Sequence, residues 1–188
     1  NIAMVGKYVS LTDSYVSVNE ALSHAAAGMN FTANLEWVES EDFEKDKNNL
    51  EKLDKYDGII VPGGFGKRGT EGIMLAADYA RKNEIPFLGL CFGFQLALIA
   101  FARYACGLDD ANSIELDPKT KNPIINILPS QKKIKEKGGS MRLGGHDVEI
   151  VKNTRAYEIY GKDKIRQRHR HRFEFNQEYQ ELLEKNKI

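Results

Sequence analysis

Cysteine is scarce in this chain: two occur among 188 residues, at positions 91 and 106. They flank a helical pattern, and fifteen residues at ~1.5 Å each would hold them roughly 22 Å apart. Disulfide partners need Cα atoms within about 7 Å, so neither a disulfide nor a two-cysteine metal site is expected. An excess of charge of one sign is also lacking, since 27 basic residues meet 27 acidic ones. That balance argues against a dedicated nucleic-acid binder or a polybasic membrane anchor. No apolar run approaches the ~20 residues that span a bilayer, and no signal-peptide pattern opens the chain. A cytoplasmic protein without membrane contact is the expectation. Internal repeats are missing too. What remains is ordinary for a globular protein, with 41% apolar and 29% charged residues, and the length suits one domain over 1–188.

Short apolar runs alternate with helical patterns. Asn1 to Val5, Leu35 to Glu39, Gly58 to Val61 and Pro86 to Leu90 read as strands. Asn19 to Met29 and Gly69 to Asn83 read as helices, the first with Val16, Val18, Ala21, Leu22 and Ala25 spaced for one apolar face. The stretch from Phe94 to Ala102 is apolar over most of its circumference, which predicts a largely buried helix. Asn48 to Tyr56 is charged and is expected to be solvated. Leu108 to Gly145 is rich in Asp, Asn, Pro, Lys and Gly, and it reads as a long irregular segment with an exposed basic loop at Gln131 to Lys137. Val148 to Val151 and Ile165 to Phe175 resume as strands around a short helix at Arg155 to Tyr160. Such alternation predicts an α/β three-layer sandwich with a mainly parallel central sheet, whose ligands bind beyond the carboxyl ends of the strands.

Two glycine-bearing turns fall at those ends. Gly89-Leu90-Cys91-Phe92-Gly93 has the pattern of a nucleophile elbow, Gly-x-Cys-x-Gly, between a buried strand and a helix. The glycines permit the sharp turn, and the positive end of the helix is expected to favour thiolate over thiol at Cys91. A thiol so placed suits attack on a carbonyl and transfer through a thioester. Pro62 to Gly66 could be a plain strand terminator. Beside the elbow it supplies the second half of an oxyanion hole, with an N–H at Gly64 or Phe65 joining that of Phe92.

Arg166, Arg168, Arg170 and Arg172 alternate with Gln167, His169, His171 and Phe173, which puts the arginines on one strand face. A solvated basic face accounts for most of them. One could instead hold a substrate carboxylate through its planar fork, and a nucleic-acid stripe is a third reading. None of the four histidines, His24, His146, His169 and His171, is marked by spacing as a partner for Cys91. Glu115 is one carboxylate among many, singled out only because the chain could return it beneath the elbow to accept from an ammonium group.

These residues resemble the class I glutamine amidotransferase domain of the CTP synthase family, over essentially the whole chain. Val5 to Val9 and Asp13 to Leu22 are similar to the opening of that domain, Val61 to Gly72 to its oxyanion loop, and Pro86 to Gln95 to its elbow. Gly138 to Gly144 and Arg168 to Glu174 are the segments that set this family apart from other amidotransferases. The resemblance implies a flavodoxin-like sandwich and a glutaminase that feeds ammonia to the conversion of UTP to CTP. It implies that Cys91 is the nucleophile, with Gly64, Phe92, Gly93, Phe94 and Gln95 contacting glutamine. It also implies Glu115 toward the α-ammonium and Arg172 near the α-carboxylate. No metal or cofactor is implied for this domain. ATP and Mg²⁺ belong to an amidoligase (synthetase) domain, the implied partner, and homo-oligomers are implied only for the full-length enzyme.

The sequence departs from the family in two respects. The His-Pro-Glu motif that supplies the family's general base does not occur in the 188 residues, so a C-terminal part of the domain is expected to be missing and turnover to be poor. Nothing in the chain resembles the phosphate-binding loop of the amidoligase domain. Two alternatives therefore stand beside the glutaminase: a non-catalytic amidotransferase-like module that binds or regulates a partner, and another cysteine hydrolase built on the same elbow.

Overall fold

The computed structural model describes residues 1–7, 15–127 and 142–187. The basic loop predicted at Gln131 to Lys137 and the turn through Asp13 lie outside them. The described chain divides into two compact units, Asn1–Asn126 with Phe175–Ile188, and Ile127–Glu174.

The first unit is built on strands β1 (Ile2–Gly6), β2 (Leu35–Glu39), β3 (Gly58–Val61) and β4 (Phe87–Gly89). They form one sheet in the order β2-β1-β3-β4, and all of its pairings are parallel. Every position of β3 is buried, as is most of β1, which explains why these strands read as unbroken apolar runs rather than alternating ones. Helices α1 (Val16–Gly28), α2 (Glu41–Lys45), α3 (Thr70–Lys82) and α4 (Phe92–Tyr104) make the connections. Helix α4 buries eight residues, Phe92, Leu96 and Ile99 among them, as its nearly continuous apolar surface requires. Helix α3 begins after Gly69, at φ 70°, and packs against α4.

Four elements of this unit differ from the sequence pattern. The spacing of α1 predicts a buried apolar face, yet none of the helix is buried, because no described element packs closely over it. Strand β4 reads as buried but is only partly so, with Leu88 exposed, because it is the edge of its sheet among the described residues. The charged segment 48–56 forms a 3-10 helix over Lys47–Lys55 that buries Leu50 and Leu53 rather than lying in solvent. Two leucines three apart are enough to anchor it to the core. The irregular region beyond Leu108 contains a strand pair, β5 (Ala111–Ser113) beside β6 (Asn122–Ile127), parallel and with a register shift at Asn112/Ser113. Strand β5 is only three residues long, and the apolar run of β6, which buries Ile124 and Ile125, is set among Asn, Pro and Lys residues that mask it. The chain returns to this unit at Phe175, and the Asn176 N–H donates to the Ile124 carbonyl at 2.8 Å.

The second unit is an antiparallel pair, β7 (Arg142–Glu149) and β8 (Lys164–His171), joined through α5 (Arg155–Tyr160). Thr154 caps α5 by accepting the Tyr157 N–H, and Gly161 at φ 60° ends it. Gly144 faces His169 and His146 faces Gln167, so His146, His169 and His171 share one face while Arg166, Arg168 and Arg170 take the other. The long strand expected over Ile165 to Phe175 is interrupted: β8 stops at His171, Arg172 sits at a bend, and β9 is Phe173–Phe175. Arg172 therefore leaves the arginine row. Beyond Phe175 the first unit adds α6 (Gln180–Lys185).

Candidate active site

Cys91 stands between β4 and α4 with φ 54° and ψ −108°. A non-glycine residue in that region is strained, by about 1–3 kcal/mol, and persists only where surrounding structure enforces it. Here the enforcement is visible. The Leu90 N–H donates to the Val61 carbonyl at 2.9 Å, and the Gly93 N–H to the Leu90 carbonyl at 2.9 Å. A Cβ at Gly89 would lie 2.5 Å from the Phe94 nitrogen, and one at Gly93 only 2.3 Å from the Val61 carbonyl oxygen. Both glycines of the elbow are thus required by close backbone approach, and the turn presents an exposed Cys91 at the carboxyl end of the sheet.

The Pro62 to Gly66 loop arrives beside it. A Cβ at Gly63 would sit 3.4 Å from Cys91 Cβ and 3.9 Å from its Sγ, and one at Gly64 would touch Phe92 Cδ1 and Lys7 Cε, each at 3.7 Å. A side chain at Gly63 would therefore press against Cys91, and one at Gly64 against Phe92 and Lys7. Lys7 holds the loop from below. It is only 4% exposed, its Nζ donates to the Gly66 carbonyl at 2.7 Å, and it lies 5.1 Å from the centroid of the Phe92 ring. Arg68 donates to the Lys7 carbonyl and pairs with Glu41 at 3.0 Å.

The electrostatics correct one expectation. Although Cys91 as a residue reaches solvent, the protein packed around its sulfur displaces much of the water that would stabilise a thiolate. That burial pushes the thiol up from its ordinary value, the Phe92 N–H bonded to the sulfur opposes this, and the Glu115 carboxylate adds to it. The single donor at the helix start does not outweigh lost hydration and a nearby negative charge. The balance at Cys91 thus favours the thiol, and among the described residues none of the groups acting on it is a histidine. Glu115 is raised chiefly by burial and lowered by Lys7. Lys7 is lowered by burial and by Arg68, and partly restored by Glu115.

Cys91, Gly64, Phe92, Gly93 and Glu115 thus come together. Gln95 is buried one turn into α4, its N–H donating to the Cys91 carbonyl at 3.1 Å. Phe94 is half exposed and lines a separate, mostly apolar cavity of about 310 Å³ with Phe87, Ala97 and Leu98. Arg172 belongs to the second unit. Lys7 carries no local signal beyond following a buried strand; its loop-holding role emerges only when β1 and the glycine turn lie side by side. Cys91 and Cys106 are both free, as their separation requires. Among the described residues, the one group of three side chains able to hold a metal ion, His169, His171 and Glu174, lies in the second unit. No helix of the described chain is long and apolar enough to cross a membrane.

A family model for class-I glutamine amidotransferases matches residues 10–187. A CTP synthase from Syntrophus aciditrophicus is 53% identical over 184 residues, covering 98% of this chain and 34% of that protein. One from Pyrococcus abyssi is 51% identical over 184 residues, with the same coverage of 98% and 34%. The chain therefore spans about a third of the length of these curated relatives. A solved structure of the glutaminase domain of Trypanosoma brucei CTPS, with bound acivicin, superposes with a TM-score of 0.90 at 37% identity, covering 98% of this chain and 71% of that one.

Proposed function

We propose, from the premise that the chain belongs to the class I glutamine amidotransferase family, that Cys91 is the nucleophile of its glutaminase reaction. The sulfur attacks the side-chain amide carbon of L-glutamine. The thiol proton passes to a base and from there to the leaving nitrogen, so that ammonia departs and a glutamyl thioester remains. Water then cleaves the thioester, giving glutamate and the free thiol. The N–H of Phe92 and one from the Gly63-Gly64 turn would face the oxyanion, each such donor contributing about 3 kcal/mol in the transition state.

The observation that carries this reading is the strained turn that sets an exposed Cys91 at the start of α4, beside Gly63 and close enough to half-buried Glu115 for its charge to act on the sulfur. Glu115 has the charge and depth to receive the α-ammonium of glutamine, whereas Arg172, the residue the resemblance assigns to the α-carboxylate, lies in the second unit. The base that Cys91 needs lies outside the groups described around it. In this reading the ammonia passes to a synthetase domain that converts UTP to CTP in the cytoplasm, and ATP and Mg²⁺ act there. The glutaminase unit itself needs neither.

Labelling with acivicin, an electrophile shaped like glutamine, tests the assignment. One adduct per chain on Cys91, slowed by added glutamine and not by asparagine, is expected. An inert Cys91 in folded protein would favour a module that only binds or regulates a partner, and an adduct that glutamine does not slow would favour another cysteine hydrolase.

A further inference from the structure

The second unit carries a cluster that the glutaminase reading leaves unused. His169 and His171 are two residues apart on β8 and so project from the same face. The bend at Arg172 ends the strand and turns the chain, bringing Glu174 back to the same place. One donor atom from each of the three, an imidazole nitrogen twice and a carboxylate oxygen, lies within 4.8 Å of the others, and all three residues are half buried. In a tetrahedral site with bonds of ~2.0–2.1 Å the donors stand about 3.3 Å apart, so small side-chain rotations close the remaining gap. His169 and Glu174 already make other interactions, which an incoming ion would have to displace.

Two further observations bear on the site. The His146 ring meets the His169 ring edge to face, with centroids 5.5 Å apart, and His169 meets His171 in the same way at 5.7 Å. Three imidazoles thus stand in a row on one face of the hairpin. His146 Nε2 is buried and has no hydrogen-bond partner among the described residues, an unusual state for a polar nitrogen and one that an ordered water or ion would relieve. Arg166, Arg168 and Arg170, whose charge would repel a cation, occupy the opposite face of β8.

We propose that His169, His171 and Glu174 form a site for a divalent transition-metal ion of the zinc class. Two neutral imidazoles and a carboxylate are borderline to hard donors, the set that zinc accepts and that magnesium or calcium, which prefer all-oxygen shells, does not. Three protein ligands would leave a fourth position for water. Occupancy would tie the end of β8 to the residue beyond the bend and so fix the chain on both sides of Arg172. Metal binding itself does not depend on the glutaminase reading.

The test is a Zn²⁺ titration against a chromogenic chelator, with Co²⁺ substitution to report geometry, on the intact protein and on C91S, which removes the exposed one of the two free thiols. One ion per chain is expected in both, with a cobalt absorption band of four-coordinate strength. His171→Ala and Glu174→Gln should each weaken binding at least about 10-fold, and the isosteric Glu174→Gln serves where His171→Ala perturbs the hairpin. Zinc uptake that disappears in C91S, or that survives unchanged in the folded Glu174→Gln and His171→Ala variants, would overturn the proposal.

Discussion

Replacing Glu115 by Gln separates two effects that the structure assigns to one carboxylate. Its charge raises the Cys91 thiol, so the neutral amide should increase the thiolate fraction and speed alkylation by iodoacetamide at pH 8, on the order of twofold for a through-space interaction near the surface. The same change removes the negative charge that would face the α-ammonium of glutamine, leaving a neutral amide oxygen in its place. A charge-assisted hydrogen bond contributes about 1.5–3 kcal/mol, so labelling by acivicin, which carries that ammonium, should slow roughly 10- to 100-fold. Opposite shifts with two electrophiles at one sulfur cannot come from a general loss of structure. Stability should move too. Burial holds Glu115 above its ordinary value, so between that value and the raised one the folded chain binds more protons than the unfolded chain, and stability falls as pH climbs through the window. The Gln variant lacks this loss. Because solvent screens a half-exposed carboxylate, the gain in Tm at pH 7 should be small, about 1–2 °C. The assays are alkylation rates by mass spectrometry and a thermal melt. Parallel slowing of both reagents, or an unchanged acivicin rate, would refute the argument.

Other consequences are equally direct. Gly63→Ala places a methyl in ordinary contact with Cys91 Cβ at 3.4 Å, so the melt should hold within a few degrees while acivicin labelling drops on the order of 10-fold as the space beside the sulfur fills. Gly93→Ala drives a methyl to 2.3 Å from the Val61 carbonyl oxygen, and thermal denaturation should show a loss of about 2 kcal/mol or more. Lys7→Met removes the 2.7 Å bond to Gly66 and should lower stability in urea by about 2 kcal/mol. Because burial lowers Lys7, the unfolded chain binds more protons between the lowered value and 10.5, so the parent gains stability as pH rises through that window and the Met variant does not. Alkylation of Cys91 by iodoacetamide should still climb steeply with pH at pH 8.5, nearly in proportion to hydroxide, since the thiol is raised above its ordinary 9.0; a plateau below pH 8 would contradict the burial argument.

The parts of the fold legible in the sequence are those where local pattern and burial coincide. Gly58 to Val61 is buried throughout, and the glycines at 89 and 93 mark the elbow because close backbone packing admits no side chain there. Leu50 and Leu53 are masked in the sequence because every other residue of Lys47–Lys55 is a charged or amide side chain, and only the core beneath reveals the anchor. Lys7 and Glu115 come from distant parts of the chain, and their mutual influence is a product of the tertiary fold. Burial around the Cys91 sulfur and the nearby Glu115 carboxylate, which oppose the donor at the helix start, are likewise products of the tertiary fold.

The most direct measurement mixes the protein with glutamine, quenches in acid and maps acyl adducts by mass spectrometry. A glutamyl thioester on the Cys91 peptide, removed by hydroxylamine and absent from the Cys106 peptide, is the predicted result. Ammonia released from glutamine with no acyl group ever found on Cys91, or an adduct on Cys106 instead, would contradict it.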